Sequence, residues 1–166
     1  MNPCKTLATV CSALLLLAAL SAAAEVPPVR PQVIASGLEH PWAVAFIDGG
    51  QMLVSERPGR LRVIAADGRI SPALTGVPVV DAAGQGGLLD VITDRDFSRN
   101  RTIYFCFAEP AAQGAGNSTA LASARLAEDT SRLEKVTVIF RQQPKVSSRA
   151  HFGCRIVEAK DGTLFL

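Results

Sequence analysis

Short apolar runs separated by polar turns fill most of the chain. Between residues 42 and 54, the large side chains of Trp42, Val44 and Phe46 alternate with alanines, an Asp-Gly-Gly turn follows at 48–50, and apolar residues then resume. Alternation with a period of two is typical of β-strands, and an Asp-Gly turn between apolar runs favours a hairpin. Residues 42–54 are therefore predicted to form a β-hairpin with Trp42 in its core rather than on a ligand-binding surface.

The same unit of strand, aspartate-containing turn and strand recurs along the chain. It appears in residues 59–70, 88–109 and 154–166. A further pair of strands is predicted in residues 125–140, with a turn near Glu128, because apolar and polar residues alternate after that turn. Helix signals are few, so the chain is predicted to be all-β.

The length of the repeat indicates a β-propeller. Trp42 and Leu88, which begin successive units, lie 46 residues apart, and a polar insertion at 108–120 lengthens the next interval, from Leu88 to Cys154, to 66 residues. A repeat of about 40–50 residues with several strands is typical of a propeller blade. At about 45 residues per blade, residues 25–166 contain about three blades, whereas propellers close with about four to eight. The chain is expected to be a truncated, N-terminal part of a longer propeller.

The first 24 residues have the layout of a secretory signal peptide. Lys5 precedes an apolar stretch at 7–20, and three alanines at 22–24 precede Glu25. This arrangement is typical of an exported protein cleaved after the last alanine, and the apolar stretch is too short for a stable membrane span. We expect residues 25–166 to be one periplasmic or secreted domain with no membrane-spanning segment.

Charge and cysteine content narrow the function classes. The chain has 17 basic and 15 acidic residues, and loss of Lys5 with the signal leaves 16 against 15, a net charge of +1. This balance predicts no basic face for nucleic acid. Cys106 and Cys154 remain after cleavage, and they either form a disulfide or lie buried as separate thiols. The sequence has no CxxC motif and no Cys/His cluster, so no residue is assigned to a metal site.

Four spaced motifs carry a resemblance to a known family. They are LEHPWAVAF at 38–46, GQGGLLDVITDRDF at 84–97, VIFRQQPKVSS at 138–148 and HFGCRIVEAKDGTLF at 151–165. Together they resemble the soluble glucose/sorbosone dehydrogenase family, whose bacterial members include periplasmic aldose sugar dehydrogenases. The resemblance implies a six-bladed β-propeller with its site at one mouth of the central channel. It also implies pyrroloquinoline quinone (PQQ) held with Ca²⁺, oxidation of the anomeric hydroxyl of an aldose sugar to a lactone, and an external electron acceptor.

Two residues acquire roles from this resemblance. His151 in the HFG motif is the expected general base, and Gln85 in the GQGGLL motif is expected beside the cofactor. An imidazole suits the first role because it accepts protons near neutral pH. The glycines around Gln85 allow the backbone to approach a planar ligand closely. The family's Ca²⁺ ligands and most of its cofactor contacts are expected beyond Leu166, so no metal ligand is assigned and the 166-residue chain alone is expected to be inactive.

Other interpretations of the same residues remain open. His151 could be an ordinary loop histidine, and Gln85 a turn residue. The chain could be a non-catalytic propeller module that binds a partner, or a metal-dependent lactonase, which needs clustered acidic ligands. Asp90 and Asp94 lie about 13 Å apart along a strand, too far for an acid–base pair, and are interpreted as hydrogen-bonding residues. The turn at 57–60 is interpreted as solvent-exposed.

Overall fold

Antiparallel hairpins between sequence neighbours build the fold. The computed structural model describes residues 29–113 and 115–166; residues 29–32 have no regular secondary structure, and Val33–Leu166 form one compact unit. The predicted signal peptide, residues 1–24, lies outside the described residues. The described strands form three sheets, of three, four and two strands in chain order. The elements are β1 (Pro41–Ile47), β2 (Gln51–Glu56), β3 (Arg60–Ile64), β4 (Leu88–Thr93), α1 (Phe97–Asn100), β5 (Thr102–Pro110), β6 (Asn117–Leu126), β7 (Leu133–Arg141), β8 (Val157–Glu158) and β9 (Leu164–Phe165).

The first sheet contains the hairpin predicted at residues 42–54, as β1 and β2 joined by a single 3₁₀ turn. Its core face carries Ala45 and Ile47, both buried, whereas Trp42 is 52% exposed and Phe46 is 74% exposed. The prediction that Trp42 lies in the core is therefore wrong. Successive side chains of a strand point to opposite faces, and among the described residues the packed face of β1 is the one with the smaller side chains.

The second sheet, β4 to β7, is buried on both faces in β4, β5 and β6, whereas β7 is largely exposed. Leu88 and Phe105 belong to the larger hydrophobic cluster, which also contains the core residues of the first sheet. Leu89 and Cys106, the next residues along their strands, belong to a second cluster with Phe152. The sheet therefore lies between the first sheet and the C-terminal segment.

The polar turns lie where the sequence predicts them. Residues 94–101 with α1 join β4 to β5, residues 127–132 join β6 to β7, and residues 159–163 join β8 to β9. Within the described part of the chain, α1 is the single α-helix and is four residues long, so the prediction of a β-rich fold is confirmed. Among the same residues, no helix has the length and apolar character needed to cross a membrane.

A disulfide joins the second sheet to the segment that follows it. Cys106 on β5 is bonded to Cys154, 48 residues later, and their Cα atoms lie 6.6 Å apart. Of the two alternatives left open by the sequence, the structure therefore has the paired one. The three sheets follow one another in chain order, as successive blades do, but the number of blades and the closure of a propeller remain predictions.

Candidate functional site

Two loops that are distant in sequence meet beside the start of β4. We call residues 81–87 the Gln85 loop and residues 147–156 the His151 loop. The backbone N–H of His151 donates to Oε1 of Gln85 at 2.8 Å, and the N–H of Gln85 donates to the carbonyl of Arg149 at 2.8 Å. The two residues singled out by the family resemblance, 66 positions apart, are therefore in direct contact.

Glycines allow the two loops to approach this closely. Gly84 has a φ of 58° and Gly87 a φ of 136°, values that glycine adopts far more readily than other residues. A Cβ atom on Gly84 would collide with the carbonyl oxygen of Arg149, and one on Gly87 would collide with that of Arg57. Substitution of either glycine would therefore push the Gln85 loop away from its neighbours.

The guanidinium of Arg57 fixes the backbone of the Gln85 loop. Its Nη1 donates to three carbonyls, those of Ala82 at 2.9 Å, Gly84 at 2.8 Å and Gly86 at 2.8 Å. The interpretation of the turn at 57–60 as solvent-exposed is wrong for Arg57, which is half-buried because the Gln85 loop folds over it. The sequence contains no local signal for these bonds, since their partners lie 25–29 residues away.

The His151 loop is held by two links on the C-terminal side of the histidine. His151 itself has a φ of 65°, a left-handed conformation that costs a non-glycine residue roughly 1–2 kcal/mol. Cys154 is bonded to Cys106, and the N–H of Ile156 donates to Oδ2 of Asp90 at 2.8 Å. Strained conformations persist where the surrounding structure constrains them, and these links provide that constraint.

Asp90 and Asp94 have the hydrogen-bonding roles predicted for them. Asp90 is 2% exposed and accepts the N–H of Ile156. Asp94 accepts the N–H of Asp96 at 2.8 Å and the hydroxyl of Tyr104 at 2.9 Å. Each carboxylate is thus bound by donors of its own, and the two do not form an acid–base pair.

Asp81 and Asn117 also link the loops, and the sequence analysis did not identify either. Nδ2 of Asn117 donates to Oδ2 of Asp81 at 2.6 Å and to the carbonyl of Ser148 at 2.9 Å. Oδ1 of Asp81 accepts the N–H of Ala83 at 2.9 Å. The Asn117 amide, followed by the Ala83 N–H, lowers the pKa of Asp81 below its usual value. An aspartate that begins a turn of small residues is a signal for this local bond, whereas Asn117 has no comparable signal.

A cavity of about 680 Å³ lies beside His151. Small-molecule sites typically have volumes of about 300–1,000 Å³ and combine apolar walls with a few polar groups. The exposed imidazole of His151 therefore borders a space of ligand size. The residues lining it are Thr119, Leu121, Phe140, Gln142, His151, Gly153, Leu164 and Leu166.

The residues at the junction of the loops fit an organic ligand and do not fit a metal ion. In the part of the chain that the structure describes, no three His, Cys, Asp or Glu side chains are grouped so that they could hold a metal. The carboxylates of Asp81 and Asp90 already accept N–H groups. Oε1 of the exposed Gln85 is engaged by His151, which leaves its Nε2 group to donate to a ligand. The Nε2 donor of Gln85 suits an oxygen atom of an organic ligand such as PQQ, whereas these residues provide no Ca²⁺ site.

Comparisons with known proteins agree with the motifs. Residues 38–166 match the family model described as Glucose / Sorbosone dehydrogenase. The chain is 42% identical over 139 residues to aldose sugar dehydrogenase YliI of Escherichia coli K12, an alignment that covers 83% of this chain and 37% of that protein. The structure is similar to that of the soluble aldose sugar dehydrogenase from Escherichia coli in the apo-form, with 42% identity, a TM-score of 0.72, and coverage of 76% of this chain and 36% of the other. It is also similar to the PQQ-bound form of an aldose sugar dehydrogenase from Streptomyces coelicolor, with 28% identity, a TM-score of 0.68, and coverage of 84% and 42%.

Proposed function

Because the chain belongs to the glucose/sorbosone dehydrogenase family, we propose that it is part of a PQQ-dependent enzyme that oxidises the anomeric hydroxyl of aldose sugars to lactones. The observation that carries this proposal is the contact between Gln85 and His151 at the edge of a ligand-sized cavity. The relatives support it, since they are sugar dehydrogenases and one of them was solved in a PQQ-bound form. The chain spans 37% of the length of its curated Escherichia coli relative.

In this proposal His151 is the proton acceptor. Oxidation of the anomeric alcohol to a lactone removes two electrons and two protons, as a hydride from carbon and a proton from oxygen. An imidazole nitrogen of His151 accepts the proton of the C1 hydroxyl, while PQQ, when bound, supplies the two-electron acceptor for the hydrogen on carbon. The constrained backbone of His151 fixes the point from which the imidazole projects, and positioning is a large part of what a protein contributes to a cofactor's chemistry.

Gln85 is proposed to orient the ligand rather than to transfer protons. Its carboxamide oxygen is bound to the His151 N–H, so rotation of the amide would cost that hydrogen bond. When PQQ is bound, the Nε2 group would be a donor of fixed orientation available to an oxygen of the cofactor. No group of His, Cys, Asp and Glu side chains among the described residues could hold the Ca²⁺ that the family resemblance implies, so no ligand of that ion is assigned.

The architecture and location follow the same family. We propose that residues 25–166 are the N-terminal part of a six-bladed propeller, to which the three sheets contribute successive blades, and that the protein is exported to the periplasm or secreted, with cleavage before Glu25. Residues 25–166 alone are then expected to show no turnover, because the remaining cofactor contacts are absent. Mass analysis of exported protein should give a first residue of Glu25.

The proposal is tested by replacing His151 in the complete propeller. His151→Gln is expected to lower kcat for aldoses, with PQQ and an artificial electron acceptor, by about 10²–10⁴-fold. The sequence has two histidines, so His40→Gln is the matched control and should leave kcat within about twofold, since surface substitutions away from a site have small effects. PQQ binding, followed by absorbance, should remain in both variants.

Each other outcome is informative. A kcat in His151→Gln within a few-fold of the parent would remove His151 from the mechanism. Sugar binding without PQQ-dependent turnover in the parent protein would favour the alternative of a non-catalytic binding module.

A further inference from the structure

Asn117 lies at the start of β6, between the two loops, and is 4% exposed. Its Nδ2 group reaches Oδ2 of Asp81 at 2.6 Å and the carbonyl of Ser148 at 2.9 Å. Its backbone pairs separately with Val146 through N–H···O bonds of 3.0 and 3.1 Å. One buried side chain therefore contacts both loops at once.

The hydrogen bonds around Asn117 form a closed circuit. Asp81 also accepts the N–H of Ala83 within the Gln85 loop. Gln85 then binds the His151 loop twice, through its side chain and through its backbone N–H. Ser148 of the His151 loop returns to Asn117. If the side-chain bonds of Asn117 are removed, the contact at Gln85 is the one link of this circuit that still joins the two loops.

The charge of Asp81 fixes the orientation of the Asn117 amide. Exchange of Oδ1 and Nδ2 would place an acceptor against a carboxylate and a carbonyl, which are acceptors themselves. Oδ1 is buried and has no hydrogen-bond donor among the described residues. A buried acceptor without a donor lowers the stability of the folded state. The two hydrogen bonds that Nδ2 donates must therefore offset this loss for an asparagine to be favourable here.

We propose that Asn117 is a positioning residue: its amide holds Asp81 and Ser148 together and so keeps His151 against Gln85 in the geometry needed for proton transfer. The link to proton transfer rests on the proposed function of His151. The holding of the two loops rests on the hydrogen bonds alone.

A matched control exists at the opposite end of the same sheet. Asn100 donates through Nδ2 to Oδ1 of Asp94 at 2.8 Å, so it also forms an amide–carboxylate pair. It lies beside Thr102, the first residue of β5, whereas Asn117 pairs with Pro110, the last. Asn100 is exposed whereas Asn117 is buried, so Asn100→Ala controls for the loss of an amide–carboxylate bond far from the loops and not for the loss of a buried side chain.

The first experiment compares Asn117→Ala with Asn100→Ala in the complete protein without PQQ. Asn117→Ala keeps the backbone bonds to Val146, so the strand should persist. Amide hydrogen exchange is expected to rise about tenfold or more in both loops in Asn117→Ala, and to stay at the parental level there in Asn100→Ala. With PQQ and aldose, Asn117→Ala should lower kcat by about tenfold or more with KM changed less than threefold.

The second experiment exchanges the amide of Asn117 and the carboxylate of Asp81. Asn117→Asp alone places a second carboxylate against that of Asp81 and against the carbonyl of Ser148, and like charges at this distance repel, so exchange in both loops should rise further. The double variant Asp81→Asn/Asn117→Asp restores one donor and one acceptor with the direction exchanged. It should recover part of the protection and part of kcat. Should Asn117→Ala fail to fold, Asp81→Ala opens the same circuit from its less buried side.

The outcomes separate this inference from the proposed function. Unchanged exchange in both loops of a folded Asn117→Ala would overturn the inference, whatever the activity. Raised exchange with unchanged kcat would overturn the positioning role. Raised exchange and lowered kcat in Asn117→Ala, together with an unaffected His151→Gln, would overturn the proposed role of His151 while supporting the holding of the loops.

Discussion

The two ends of the β4–β7 sheet are held by different kinds of hydrogen bond. At the far end, where α1 lies, Asp94 accepts the N–H of Asp96 and Asp129 accepts that of Ser131, each two residues further along the chain. These carboxylates close their own turns. Such Asx turns form from a few adjacent residues and need little from the rest of the fold.

The end that carries the two loops depends on distant partners. The bond from Asn117 to Asp81 spans 36 residues, and the bond from His151 to Gln85 spans 66. These bonds exist only after the strands between them have been placed. Longer links also leave the far end, since Arg95 pairs with Glu158 at 3.1 Å and the N–H of Thr75 donates to the carbonyl of Ser131 at 3.2 Å, but each turn there keeps its own cap.

The two ends of the sheet therefore differ in how far their order depends on the packing of distant strands. Local caps survive small shifts of neighbouring strands, whereas bonds between distant segments are lost together when the packing loosens. A mutation at the site end is therefore expected to loosen both loops together. A mutation at the far end is expected to loosen only the turn that contains it. The three predictions below test this contrast.

The largest effect is expected from the disulfide. Replacing both cysteines, Cys106→Ala/Cys154→Ala, should lower the free energy of unfolding by about 2–4 kcal/mol, as is typical for a bridge that closes a long loop. Amide exchange should rise across the His151 loop and stay unchanged in the turn at 94–101. Urea unfolding and hydrogen exchange measure the two parts, and thiol alkylation of the parent serves as the control for pairing. Equal loosening of both ends would contradict the comparison.

An intermediate effect is expected from Arg57. Arg57→Ala leaves three carbonyls of the Gln85 loop without their donor and should lower the free energy of unfolding by about 2 kcal/mol, since hydrogen bonds from charged groups contribute about 1.5–3 kcal/mol. Arg57→Lys should restore only part of this, because an ammonium lacks the planar fork of a guanidinium.

Arg99→Ala is the control for that variant, since Arg99 is 78% exposed and pairs with Asp96 at the far end. Exposed pairs contribute little, so no change should be measurable by denaturant unfolding. If Arg57→Ala behaved like Arg99→Ala, the role of Arg57 in holding the Gln85 loop would have to be abandoned.

The smallest effect is a titration at the far end. Burial, followed by the hydrogen bond to Asp94, raises the pKa of Tyr104 to about 12. The folded state thus favours the neutral phenol. The contribution of Tyr104 to the free energy of unfolding is fully present below the unfolded pKa of about 10 and is lost as pH rises through about 12. Tyr104 is the one tyrosine of these 166 residues, and the difference in phenolate absorbance between the parent and Tyr104→Phe isolates its titration.

Asp94→Ala should move that midpoint back toward 10 without altering exchange in the His151 loop. Circular dichroism recorded in parallel identifies the pH range over which the protein stays folded. A midpoint near 10 in the folded parent would show that Tyr104 is neither buried nor bound to Asp94 as described.

Much of the fold could be predicted from the sequence because its signals are local. The hairpin at 42–54, the turn near Glu128 and the turn at Asp161 all follow from alternation and turn chemistry within a few residues. The motifs around Gln85 and His151 indicated the family and singled out these two residues, because each motif is a short run of adjacent residues that the sequence shows directly. None of these inferences required knowledge of which strands lie side by side.

The tertiary structure decided the rest. Alternation along β1 defines two faces but not which one is covered, so Trp42 was assigned to the wrong face. Arg57, Asn117 and the pairing of Cys106 gain their roles from partners at least 25 residues away. A side chain's distant partner depends on the positions of whole strands, and those positions are set by the summed packing of the core rather than by the residues adjacent in sequence.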